Sequence, residues 1–131
     1  MAIDPETFES LLRTIERFVA ERLVPLEDEV DRTDRVPDAL VEEMKALGLF
    51  GLTIPEEFGG LGLGIEQEVR VAIALGQTSP AFRSIFGTNI GIGSQGIVID
   101  GTDAQKRRYL PGLASGEIIG SFCLTEPDVG S

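Results

Sequence analysis

The chain has 131 residues, 42% apolar and 25% charged, with a formal net charge of −11. That is one domain's length with an ordinary soluble composition, and its acidity argues against nucleic acid or an anionic membrane surface as partner. With no histidine and a single cysteine, Cys123, an intrachain disulfide, a Ser-His or Cys-His nucleophile pair and the common zinc sites are all excluded.

In chain order, Phe8, Leu11, Leu12, Ile15, Phe18, Val19 and Leu23 recur at helical spacing. Asp4 can cap that helix and Pro5 suits its first position. Pro25 ends it or opens a second helix anchored by Leu26 and Val30, and the carboxylates around them read as a solvated face. They lack the glycine and terminal glutamate of a calcium loop. Pro37 starts a third helix with Leu40, Val41, Met44 and Leu47 inward, and Gly48 closes it. Residues 50–64, rich in glycine and broken by Pro55, read as loop. A fourth helix follows, with Ile65, Val69, Ala72, Ile73 and Gly76 on one side and Ser79-Pro80 marking its end.

Residues 80–100 contain a literal G-x-G-x-x-G at Gly91 to Gly96. The dinucleotide fingerprint needs its last glycine to open a helix inside a βαβ unit. Only Ile97 to Asp100 intervene before Gly101-Thr102, so no such unit fits, and a glycine-bearing helix is the preferred reading. Ile85 to Ile99 is the most apolar stretch, but Thr88, Asn89, Ser94 and Gln95 leave it short of a membrane span. Thr102 and Gln105 form a capping box. It opens a short helix from Asp103 to about Tyr109, which Pro111 should break. Lys106-Arg107-Arg108 is the basic cluster and reads as solvated. Ile118 to Leu124 reads as a strand, Glu126 to Val129 as a turn, and Gly130 with Ser131 as a place where backbone can approach a ligand.

Phe122-Cys123-Leu124-Thr125-Glu126-Pro127-Asp128-Val129-Gly130-Ser131 resembles the flavin signature of acyl-CoA dehydrogenases. The resemblance extends through Ile54-Pro55-Glu56-Glu57-Phe58-Gly59-Gly60-Leu61-Gly62 and through Gly101 to Pro111, in the family's order. It implies an all-α, N-terminal-type bundle of up to six helices over residues 1–115. Residues 116–131 would be the first strand and flavin loop of a middle β-domain. The implied reaction is oxidation of the Cα–Cβ bond of an acyl-CoA thioester to the 2-enoyl-CoA, with α-proton abstraction by a carboxylate and β-hydride transfer to FAD.

By that resemblance, Leu124 and Thr125 meet the pyrimidine edge of the isoalloxazine, and Phe122 packs near the flavin. Gly130 and Ser131 approach the FAD pyrophosphate, Ser131 also lying near the coenzyme A part of the substrate. Ser84, Ile85, Thr88 and Ile92 become candidates for the acyl pocket. The catalytic base matches no residue of this chain, and no metal site is expected. Implied partners are acyl-CoA and an electron-transfer flavoprotein or similar acceptor, with a dimer or tetramer at full length. A chain ending inside the signature is expected to be inactive and not to hold FAD tightly by itself. A reducing, cytoplasmic setting is expected. Two other readings stay open: a flavin-dependent oxidase or monooxygenase of the same fold, and a non-catalytic acidic helical interaction module.

Overall fold

The computed structural model describes residues 3–129, and among them the fold is helical with no strand. Helix α1 spans Pro5–Phe18, with Asp4 accepting from the Thr7 N–H at 3.0 Å and Pro5 at its start, as expected. Pro25 has no N–H to offer the preceding turn. The chain answers with a π-turn over Val19–Leu23, in which the Val24 N–H reaches the Val19 carbonyl. A 3-10 turn, Val24–Leu26, leads into α2, Glu27–Thr33. The wider π-turn keeps Val19 and Leu23 both buried.

Helix α3 spans Asp38–Ala46. The chain then leaves it through Gly48 at φ 73°, in the left-handed region where a glycine carries no Cβ penalty. Residues 50–64 are loop, as expected, and they form the hub of the core. Two 3-10 turns, Leu49–Gly51 and Glu56–Phe58, fold the chain back on itself. The N–H groups of Leu61, Gly62 and Leu63 bond to the carbonyls of Gly51, Ile54 and Leu52. That internal pairing satisfies the backbone and lets Leu49, Phe50, Leu52 and Ile54 be fully buried. Gly60 makes the fold-back possible. A Cβ there would fall on the carbonyl group of Ile54 and lie 2.7 Å from the Gly51 oxygen.

Helices α4 (Ile65–Leu75), α5 (Pro80–Ile90), α6 (Gln95–Asp100) and α7 (Asp103–Ser115) follow. Helix α4 packs on α1, and the hub packs on α3, α5 and α7. The inner face of α4 is Val71, Ala74 and Leu75, whereas Ile65, Val69 and Ile73 of the stripe read from the sequence are exposed. Both sets satisfy helical spacing, and periodicity alone does not say which stripe finds a partner. Glu27 also departs from a purely solvated face, accepting from the Thr78 hydroxyl at 2.7 Å and the Ser79 N–H at 2.9 Å.

The stretch read as one glycine-bearing helix is two. Gly91 takes φ −116°, ψ −113°, ending α5, and a turn intervenes before α6. Helix α7 overruns the break expected at Pro111 and continues to Ser115, with the capping box of Thr102 and Gln105 at its start. Ile118 to Leu124 forms no strand, because no second strand lies among the described residues to receive its hydrogen bonds. The turn beyond it is present: Glu126 and Val129 pair as an isolated antiparallel bridge. Among the described residues no helix is long and apolar enough to cross a membrane.

Candidate flavin and acyl site

Helix α5 divides its residues between two jobs. Phe82, Phe86, Asn89 and Ile90 are buried, while Ser84, Ile85, Thr88 and Ile92 lie half-buried or exposed on the other side and its continuation. Ser84 and Thr88 share the more open side of α5, where the Ser84 hydroxyl donates back to the Pro80 carbonyl at 3.0 Å. Ile85 packs partly against the core, and Ile92 is exposed in the turn beyond Gly91. The helix-ending turn at Gly91 to Gly93 sits against the C-terminal segment: a Cβ on Gly120 would lie 3.3 Å from the Gly93 Cα.

The return of the chain from α7 is anchored stepwise. Gly116 caps the helix in the left-handed conformation. The Ile118 N–H then donates to the Gly112 carbonyl at 2.9 Å, and the Ile118 side chain covers Gly112 closely enough to occupy the place of a Cβ. Asn89, fully buried, donates through Nδ2 to the carbonyls of Leu113 (2.9 Å) and Ile118 (2.8 Å) and accepts through Oδ1 from the Gly120 N–H (2.8 Å).

From Ser121 onward that anchoring stops. Phe122 is 60% and Leu124 69% exposed, and Thr125 is exposed as well. Among the described residues, the backbone N–H and C=O groups of Leu124 and Thr125 have no partner within the chain. Unpaired donors and acceptors beside an exposed aromatic ring suit the polar edge of a flat heterocycle, so these residues fit an isoalloxazine in chemical type. The structure thus places Phe122, Leu124 and Thr125 on the segment that leaves α7 and passes the α5 turn. Gly130 and Ser131 lie outside the described residues.

Elsewhere the candidates are bland. Among the described residues no cluster of carboxylates or sulfur could hold a metal. Cys123 is free and exposed, with the Ser121 hydroxyl 3.7 Å from its sulfur. Arg107 lies 3.5 Å from Asp103, and Arg108 stacks over Tyr109, so the basic cluster is a solvated helix face. The Arg70 guanidinium bonded to Glu9 at 2.6 Å holds that carboxyl below its ordinary range, and Arg22 does the same for Glu43. Both pairs join helices rather than line a site. An open groove of about 510 Å³ between α1 and α4, lined by Leu12, Val19, Val24 and Ile73 among others, shares no residue with the α5 face.

Asn89 is the site residue that sequence reasoning missed. Its signal was an amide at the helical spacing of Phe82 and Phe86, inside an apolar stretch and on the side that packs inward.

Comparison with known proteins identifies the helical fold. The family model for the acyl-CoA dehydrogenase N-terminal domain matches residues 5–117. The very long-chain specific acyl-CoA dehydrogenase of Macaca fascicularis is 40% identical over 126 residues, covering 96% of this chain and 19% of that protein. An acyl-CoA dehydrogenase of Bacillus anthracis solved in complex with FAD superposes with a TM-score of 0.75 at 33% identity, covering 98% of this chain and 23% of that one. A glutaryl-coenzyme A dehydrogenase solved with glutaryl-CoA gives a TM-score of 0.83 at 32% identity, over 99% of this chain and 33% of that one. The chain thus spans from about a fifth to a third of these proteins' lengths. The chain belongs to the acyl-CoA dehydrogenase family and corresponds to its helical N-terminal domain.

Proposed function

We propose that this chain is the substrate-facing helical part of an FAD-dependent acyl-CoA dehydrogenase, with residues 116–131 beginning its β-domain. The observation that carries the reading is that Asn89 of α5 holds the base of the segment leading to Leu124 and Thr125, whose backbone groups are unpaired among the described residues. In this reading Ile85, Thr88 and Ile92 border the acyl chain, whose burial against them supplies binding free energy in proportion to the apolar area covered. FAD, when bound, supplies the acceptor for the β-hydrogen and its electron pair.

The residues of this chain bind and orient. The backbone groups of Leu124 and Thr125, with the Thr125 hydroxyl, would hold the cofactor's pyrimidine edge and favour negative charge there. Phe122 would pack near the flavin. Gly130 and Ser131 would hold its pyrophosphate, Ser131 also lying toward coenzyme A. A carboxylate outside this chain would take the α-proton, and the partner we assign is an electron-transfer flavoprotein or similar acceptor. A cytoplasmic homo-oligomer is the form we assign to the full-length protein.

The test is to purify the full-length gene product beside the 131-residue chain. The full-length product should show flavin absorption bands that bleach on adding acyl-CoA under anaerobic conditions. The short chain should neither retain FAD nor oxidise acyl-CoA. Stoichiometric FAD on the short chain, or a full-length product without flavin bands, would overturn the reading.

A further inference from the structure

We infer that Asn89 is a positioning residue for the flavin segment, linking it mechanically to the acyl-facing helix; the inference rests on the reading just given. Asn89 lies next to Thr88 in α5, so one turn of helix presents Thr88 to the open face and Asn89 to the interior. The Asn89 amide holds both sides of the chain's return: the end of α7 through the Leu113 carbonyl, and the outgoing segment through the Ile118 carbonyl and the Gly120 N–H. Gly93 then closes on Gly120 so tightly that a side chain at 120 would have to displace it.

Downstream of this clamp no hydrogen bond to the helical body fixes residues 122–125. Their placement relative to α5 therefore depends on where residues 118–120 are held. Thr125 lies five residues past Gly120, an extended reach of no more than ~17 Å, so a tilt at the base is carried to the tip. The site requires Asn in particular. The Ile118 carbonyl needs a donor and the Gly120 N–H an acceptor, and the Leu113 carbonyl, which also accepts from the Gly116 N–H, takes a second donor. A single carboxamide supplies all of these at this reach. Aspartate would set a buried charge against two carbonyl oxygens, and leucine would leave the Ile118 carbonyl and the Gly120 N–H unpaired.

The inference is tested in the flavin-loaded full-length enzyme with Asn89→Leu. The control is Leu40→Ala, a buried substitution on α3 that lowers the melting temperature without touching the clamp. Both are measured at a temperature where circular dichroism shows them folded. Asn89→Leu should change the vibronic structure of the bound flavin's visible spectrum and shift its midpoint potential. It should also lower kcat for acyl-CoA by ~10- to 100-fold while KM moves far less, since misplacement by about 1 Å costs up to that much. Leu40→Ala should leave spectrum, potential and kcat alone. If Asn89→Leu does not fold, Asn89→His, which keeps one donor and one acceptor, carries the same comparison with an intermediate effect. An Asn89 variant that loses melting temperature like the control yet keeps the wild-type spectrum, potential and kcat would overturn the inference alone. A wild-type product without flavin would overturn the proposed function and the inference with it.

Discussion

At the scale of single residues, glycines with the same freedom in sequence have unlike consequences in the fold. Gly60→Ala must push the Ile54 carbonyl out of the hub, because a Cβ there has no room. Overpacking a rigid backbone contact of this kind costs about 3 kcal/mol, or roughly 10 °C in melting temperature for a chain of this length. Gly96 in α6 has nothing within 4 Å of its would-be Cβ. Gly96→Ala should raise stability by about 0.5–1 kcal/mol through helix propensity. Thermal unfolding of the pair checks both, and equal effects would mean that the hub is looser than described. The sequence separates loop from helix here but not the clash at Gly60, since its distinguishing neighbour is a carbonyl brought near only by the fold.

Among elements, capping was legible and choice of face was not. Asp4 before Pro5, Gly48 after α3, and Thr102 with Gln105 act over three or four residues, so local chemistry reveals them. The inward stripe of α4 depends on where α1 lies, and Ile65, Val69 and Ile73 satisfied the same periodicity as the true core. Pro111 was misread because α7 absorbs a missing N–H at the cost of one backbone bond. The residues proposed to meet the flavin stand out as a motif, whereas the amide that holds the base of their segment was hidden inside an apolar run.

The ion pairs between elements lead to a pH prediction. Glu9 and Glu43 are held below their ordinary value of 4.5 by hydrogen bonds from Arg70 and Arg22. Such groups contribute stability that is present above the unfolded value and lost as pH falls through the lower folded value. Acidification also relieves the self-repulsion of a chain with net charge −11, which acts in the opposite direction. The expected outcome is therefore differential. Between about pH 5 and pH 3, wild type should lose more melting temperature than the double variant Glu9→Gln, Glu43→Gln. Parallel curves would show that these pairs do not tie α4 to α1 or the π-turn to α3.

For the whole molecule, the informative quantity is apolar surface left uncovered. Ile65 is 77%, Ile73 63% and Leu124 69% exposed, on α4 and on the outgoing segment. Patches of this kind ordinarily mark surfaces that another part of a protein covers. The 131-residue chain should therefore bind an apolar-reporting dye and self-associate as concentration rises. Ile65→Glu with Ile73→Glu should reduce both while changing stability by less than about 0.5 kcal/mol per site, as befits exposed positions. A monodisperse chain that ignores the dye would speak for the acidic interaction module instead.

The buried hub also bears on how the chain is made. Phe50 and Ile54 wait for walls that α5 and α7 supply, so the earlier helices emerge from the ribosome before their centre can close. Nascent chains lacking α7 should remain protease-sensitive around residues 48–63, and protection should arrive in one step once α7 has cleared the exit tunnel. Vectorial synthesis thus leaves the glycine-rich turn without its partner walls until the last helix of this domain can pack on it.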